Sequence, residues 1–465
     1  MNDAHVELPE SRDARRARGR QLRRTVPRRR LAELAGGPRD PLSIIDAQNA
    51  TRLQDLVPLR TERMSQSPFA FYRGTAAIMA ADLAGEPHTG IFVPSCGDAH
   101  VANFGFYATA QRTLVFDLND FDEAAWAPWE WDLKRLVASV VIAGQATGRA
   151  DAVVGDAVRT AVRSYALAMR TAAGAAPLQR YYAHFEAGGA KGRMRAASRK
   201  AVDRAIKDAR KHTGERASRK LTEVDESGRL RFVLQSPTTT PLAPELHARL
   251  MELTQEYLRT AGPDIALQLR HYAVVDSVQR VVGVGSVGTG CSLTLFQDGD
   301  GHTLILQSKE AGRSVLEQYG GIGQPLELTE LIRERGQGGR VVAMQRILQA
   351  LSDPFLGSLR VVDARGIELE LYVRQFHDMK GGIEVEELED EPFVTYARAC
   401  AATLARAHAQ SPFTAEVSGY LGDGARAGEA LLDWGHAYAR RSRDDYELFV
   451  ARAAEDGGGT GENRP

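Results

Sequence analysis

The chain has 465 residues, with 59 lysines and arginines against 60 aspartates and glutamates, and a formal net charge of −1. That length predicts two or three lobes with an ample core, and the charge balance gives no global pull toward nucleic acid or a membrane surface. Cys96, Cys291 and Cys400 lie far apart with no Cys-x-x-Cys pair, no apolar run reaches transmembrane length, and the N-terminus lacks a signal-peptide core, so a reducing, cytoplasmic setting without structural zinc is the expectation.

Residues 1–40 are rich in arginine, from Arg12 through Arg30, and carry no core pattern. A run of like charge repels itself, which predicts a basic, largely disordered tail. Residues 41–245 read as the first part of a helical lobe. Asp40-Pro41 is a helix-start signal, and Phe69–Gly74 opens another helix. Arg60, Arg63 and Arg73 stand just upstream of an acidic stretch, as partners for it or for phosphate through their planar forks.

That stretch, residues 96–135, gathers acids among apolar residues as no other part of the chain does. Ile91–Pro94 leads into Gly97-Asp98, and Thr113–Phe116 leads into Asp117, Asn119, Asp120, Asp122 and Glu123. Two short buried strands ending in carboxylates place like charges side by side, which is costly without an intervening cation. The hard cation that shares carboxylate and amide oxygens with phosphate is Mg²⁺.

Leu133–Ala143 is apolar enough for a buried helix, and residues 151–174 predict another. The basic segment near 191–211 predicts an exposed helix, and Gly214, Gly228, Pro237 and Pro241 mark a linker. Residues 246–380 begin with one amphipathic helix and then turn β-rich. Strand residues through Val282 lead into Gly283, Gly285, Gly288 and Gly290, a second strand follows, then an Asp-Gly turn, then a third strand ending at Lys309. Strand residues after the glycines argue against a dinucleotide fold, which needs a helix there, and for a glycine hairpin whose N–H groups can close over phosphates. Among Glu317, Glu327, Glu330 and Glu334, Glu330 is the provisional acid for Lys309. A hairpin over 359–376 follows, residues 381–452 add helices that complete the first lobe, and 453–465 read as a disordered tail.

Gly97-Asp98-Ala99-His100-Val101-Ala102-Asn103 resembles the catalytic loop of the aminoglycoside and choline kinase branch, with Cys96 where that branch has histidine. Asp120-Phe121 resembles the metal-binding Asp-Phe element, and Asp132-Leu133 the Asp-Leu that opens the next helix. The resemblance implies an α+β, two-lobed, kinase-like fold. Asp98 takes the proton of an acceptor hydroxyl, Asn103 and Asp120 bind Mg²⁺ with Asp117 as the rival for Asp120, and Gly283, Gly285, Gly288 and Lys309 hold ATP phosphates. His100 either orients Asp98 or packs structurally. The motifs stand in the wrong order for a kinase, catalytic loop first and glycine hairpin third. Joining the helix near residue 410 to the loop near 96 restores the order, which predicts a circular permutation.

Residues 15–450 as a whole resemble a bacterial family of uncharacterised function, through Phe71–Gly74, Gly97–Gly105, Phe116–Glu123 and Gln307–Ala311. The functional expectation is a Mg²⁺-dependent ATP phosphotransferase acting on a small-molecule or protein hydroxyl, with no membrane or nucleic-acid partner implied. A two-metal phosphoesterase, a non-catalytic nucleotide-binding protein and nucleotidyl transfer to a protein are the alternatives.

Overall fold

A computed structural model of the chain describes residues 8–189, 192, 194–281, 283, 285–362, 366–376 and 379–458. The fold is built around the helix Trp129–Ala146, in which every residue from Trp129 to Gly144 is buried. A helix covered on all faces must satisfy its polar side chains internally. Lys134 Nζ meets Glu86 at 2.5 Å, Arg135 Nε meets Asp98 at 2.8 Å, and Ser139 Oγ accepts from the Val101 N–H at 3.0 Å. The helices Asp151–Gly174, Asp390–His408 and Ala425–Gly458 share one apolar core with it. No helix among the described residues is long and apolar enough to cross a membrane.

Two small antiparallel sheets sit on this helical body. Strand β1 (Phe92–Ser95) pairs with β4 (Ala125–Pro128), while β2 (Phe104–Ala108) pairs with β3 (Leu114–Leu118). The hairpin β5 (Thr222–Val224) and β6 (Leu230–Phe232) is a separate two-stranded ladder, tied to the strand Ala273–Arg280 by the Phe232 N–H donating to Asp276 at 2.7 Å. A six-stranded sheet forms the second lobe from β7 (Thr239–Pro241), β8 (Ala273–Arg280), β9 (Cys291–Gln297), β10 (Thr303–Glu310), β11 (Gly357–Val362) and β12 (Glu368–Gln375), in the order β11-β12-β10-β9-β8-β7. The hairpins expected over 272–310 and 359–376 are present, all antiparallel. Strand β7 falls before residue 246, so the sheet starts slightly earlier in the chain than its composition suggests. The single helix expected over 246–270 is instead the helices Pro244–Ala248, Leu250–Leu258 and Pro263–Gln268, the last set off where Gly262-Pro263 breaks the run. The chain returns from β12 to the helical body through β13 (Gly381–Gly382), which adds to β2.

The arginine-rich segment is not a loose tail over its described part. Arg12–Gln21 is helical and crosses Thr414–Leu421, where a Cβ on Gly19 would lie 2.0 Å from the Glu416 carbonyl oxygen and one on Gly419 would lie 2.2 Å from that of Arg16. Only glycine permits so close a crossing. The charges that seemed self-repelling are spent on a helix C-terminus, where exposed carbonyls favour cations. Arg23 Nε donates to the Tyr420 carbonyl at 2.9 Å, Arg28 to that of Leu421 at 2.9 Å, and Arg18 pairs with Glu416 at 2.9 Å. Residues 1–7 of the expected tail lie outside the described residues. At the other end, Ala425–Gly458 continues as helix past residue 452, and 459–465 lie outside the described residues.

Candidate functional site

Antiparallel pairing explains how the acidic stretch converges. In the β2–β3 hairpin Phe104 lies opposite Leu118, so the residues flanking the hairpin, Asn103 and Asn119-Asp120, emerge together. The Asn119 N–H donates to the Asn103 carbonyl at 3.0 Å. Pairing of Ser95 with Ala125 brings the Cys96–Asp98 turn beside Glu123 in the same way. Gly97 makes that approach with φ at 78°, and a Cβ there would lie 2.3 Å from the Glu123 carbonyl oxygen, so both conformation and space require glycine.

Asp132, near the start of the buried helix, clamps this turn. Its carboxylate accepts the N–H groups of Cys96 at 2.7 Å and Gly97 at 3.0 Å. His408 Nε2 approaches the same carboxylate at 3.1 Å, and its Nδ1 lies 2.7 Å from the Tyr165 hydroxyl. His408 is the last residue of the helix Asp390–His408, so that helix ends against the turn starting at Cys96. Burial, and then Asp132, pushes the Cys96 thiol well above its ordinary pKa, so it stays protonated in this packed position.

Asp98 points its Oδ1 at Arg135, whose Nε donates at 2.8 Å. Arg135 is fixed in turn by the Tyr72 carbonyl at 2.7 Å and lies 3.9 Å above the Tyr72 ring. Asp98 Oδ2 stands 3.5 Å from His100 Nε2. Burial, against the pull of Asp98 and with the help of Arg135 and Arg73, holds the His100 pKa down to about 4, so this contact is to a neutral ring. The buried His100 Nδ1 has no hydrogen-bond partner.

Asn103 donates through Nδ2 to the Asp98 carbonyl at 2.9 Å and to the Asp120 carbonyl at 3.3 Å. Two acceptors on the nitrogen fix the amide orientation and leave Oδ1 as the oxygen available to a cation. Asp120 is the exposed acid of the cluster, its side chain 47% accessible. Burial raises its pKa, but Lys309, Arg374 and Lys380 outweigh that and hold it down to about 2.

Asp117, the expected rival of Asp120, is already satisfied by protein groups. Its buried carboxylate accepts the Leu118 N–H at 2.9 Å and the Ala350 N–H at 3.0 Å, and pairs with Arg406 at 3.2 Å. It is spent on joining three segments of backbone. Glu330 also leaves the expected list. It is exposed on the helix Leu326–Leu348, which breaks at Gly336. That helix delivers not an acid to Lys309 but the fully buried Arg340, which donates to the carbonyls of Asp122 at 2.8 Å and Gly312 at 2.9 Å.

Lys309 meets the acidic cluster directly. It is 2% exposed, its Nζ bonds Asp122 Oδ2, and Asp120 Oδ1 lies 3.8 Å away. The Tyr372 hydroxyl donates to the other oxygen of Asp122. Asp122 is therefore the acid that holds the lysine, a role sequence spacing did not single out. The pairing of Lys309 with Tyr372 and of Gln307 with Arg374 across β10 and β12 puts these four side chains on one face of the sheet. Strand alternation of period two is the signal that would have located Arg374.

The expected glycine turn joins β8 to β9, with Gly283 and Gly288 at φ of 72° and 87°. Its backbone is anchored by the N-terminal helices. Arg63 Nη1 donates to the Gly283 carbonyl at 2.5 Å, Arg52 to that of Val287 at 2.6 Å, and the Leu53 N–H to that of Gly288 at 2.8 Å. Gly285 packs against the Arg73 carbonyl, 3.3 Å from where its Cβ would be. Val282 and Val284 lie outside the described residues.

A cavity of about 590 Å³ opens between the sheet and the β2–β3 hairpin. Gly283, Asn119, Gln307, Gln345, Arg374 and Lys380 line it. Gln349 Nε2 donates to the Leu118 carbonyl at 3.1 Å and its Oε1 accepts from Gln345 Nε2 at 3.0 Å, which leaves the buried Gln345 Oε1 without a partner. Burial, then Arg374, lowers the Lys380 pKa to about 7, against the opposing pull of Asp120.

No curated protein and no solved structure matches the chain. The family model that does match covers residues 52–452, from the first anchor of the glycine turn to the last helix, and thus every site residue named above. The chain belongs to the family described as an uncharacterized protein conserved in bacteria (DUF2252).

Proposed function

We propose that the chain is a Mg²⁺-dependent phosphotransferase that uses ATP, with a kinase-like fold in circularly permuted order. The observation that carries this reading is the 3.8 Å approach of Lys309 Nζ to Asp120 Oδ1, residues brought from separate lobes, with Asn103 bonded to the Asp120 carbonyl. Two further features support it. The second lobe runs glycine hairpin, lysine strand, helix and two strands, the order a kinase-like lobe requires. The helix ending at His408 abuts the Cys96 turn through Asp132, so the join demanded by the permutation spans neighbouring elements.

The donor set fits a hard cation. Asn103 Oδ1 has no partner among the described residues, and the Asp120 carboxylate is ionised and half-exposed. Bound Mg²⁺ neutralises charge on the phosphates during transfer. The chain's own residues do the rest. Arg135 fixes the Asp98 side chain and Asp132 the turn before it, and Asp98 Oδ2 remains to take the proton from an acceptor hydroxyl. Neutral His100 confines that oxygen without competing for the proton. The acceptor is a hydroxyl-bearing molecule or protein.

The test is turnover of labelled ATP, with bacterial extract as the source of acceptor, by the wild-type chain and by Asp98→Asn and Asp120→Asn. Loss of the base or the metal ligand is expected to lower turnover by about a hundredfold or more. Undiminished turnover in both variants removes the mechanism.

A further inference from the structure

The charges of the cleft do not support equal roles for its cations. Lys309 is already neutralised by Asp122 and Asp120 and shielded by Tyr372. Arg374 and Lys380, by contrast, make no salt bridge to a carboxylate among the described residues, although the charges of Asp120 and Asp122 reach both. Arg374 Nε donates only to the neutral amide of Gln307 at 2.9 Å, and Lys380 Nζ makes one long contact of 3.4 Å to the Asn119 carbonyl. Both line the same cavity, whose one lining carboxylate, Asp353, accepts the N–H groups of Phe355 at 2.8 Å and Gln375 at 2.6 Å. Partly buried cations left without counter-ions are costly unless a ligand supplies the charge.

We propose that Arg374 and Lys380 are the phosphate-binding pair of this cavity, taking the phosphate oxygens of a nucleotide or other polyphosphate in the place where the resemblance put Lys309. The planar Arg374 fork suits two phosphate oxygens at once, and the Lys380 ammonium supplies a compact second charge. Lys309 then acts as the fixed counter-ion that holds Asp120 ionised and Asp122 in place. This deepens the phosphotransferase reading, since it assigns the phosphates of that reaction to residues outside the recognised motifs.

The experiment is calorimetric titration of the full chain with Mg²⁺-free pyrophosphate and with ADP. Arg374→Met and Lys380→Met should each weaken binding by about tenfold or more. Lys380→Arg, which keeps the charge, should retain most of the affinity, and Arg374→Lys, which keeps the charge but not the fork, should fall between wild type and Arg374→Met, which separates loss of a phosphate contact from loss of folding. Lys309→Met should weaken pyrophosphate less than either. Absence of binding by the wild-type chain, or wild-type affinity in both methionine variants, overturns the proposal. Because pyrophosphate binding needs no transfer, the pair can stand even if Asp98→Asn leaves ATP turnover intact, and it can fall while turnover survives.

Discussion

Replacing Lys309 by methionine tests the electrostatic centre of the molecule. The substitution keeps the aliphatic stem but removes the ammonium between Asp122 and Asp120. Breaking a buried ion pair costs about 3–5 kcal/mol, because the surviving charge stays buried. Asp122 is 24% exposed, so water enters and the lower end, about 3 kcal/mol, applies. Asp120 adds a smaller share. Its drop from 3.8 to about 2 is opposed by burial and driven first by Lys309, and its half-exposed side chain limits the effect to about 1 kcal/mol. A folded-state pKa below the ordinary value stabilises above 3.8 and loses that contribution as pH falls through about 2. Thermal and urea unfolding should show the variant about 3–4 kcal/mol less stable at pH 7, with the gap narrowing near pH 3. Adding Asp122→Asn should recover at least half of the loss by removing the orphaned charge. A single variant within about 1 kcal/mol of wild type, or a double variant no more stable than the single, refutes the reasoning.

Two further predictions concern stability away from the cleft. Glu130 is buried with Oε1 accepting the Thr89 N–H at 2.7 Å and Oε2 without a partner, and burial pushes its pKa from 4.5 up to about 7. Its stabilising contribution is present below 4.5 and is lost as pH rises through about 7, a loss of about 3 kcal/mol. Glu130→Gln keeps the acceptor and removes the charge, so it should melt higher than wild type at pH 8.5 and match it near pH 4; equal melting at both pH values contradicts the assignment. Gly19→Ala should push the Arg12–Gln21 helix off Thr414–Leu421, since the added Cβ meets backbone at 2.0 Å. The expected result is about 1–3 kcal/mol of destabilisation and new protease cleavage before residue 40, and an unchanged digest would show that the crossing relaxes freely.

The local grammar of the chain was readable from its residues. The glycine hairpin, the strand that carries Lys309, the buried helix after Asp132 and the strand-end position of Asp98, Asn103 and Asp120 all follow from periodicity and turn chemistry within a few residues. Those signals are short-range, so they survive without knowledge of what packs against them. Partner choice was not readable in the same way. The acidic stretch offers four carboxylates within seven residues, Asp117, Asp120, Asp122 and Glu123, and which one meets Lys309 depends on sheet register and lobe position.

Tertiary structure therefore decided the ion pairs. It gave Lys309 to Asp122 rather than Glu330, and it spent Asp117 on Arg406 and the Ala350 backbone. It turned the arginines near the N-terminus into ligands of a distant helix end. It left Arg374 and Lys380 lining a cavity with no salt bridge to an acid among the described residues. What the residues themselves set was the kind of chemistry at each strand end. Coulomb energy and desolvation depend on distances across the fold, so only the assembled lobes settle which charges are neutralised and which remain for a ligand.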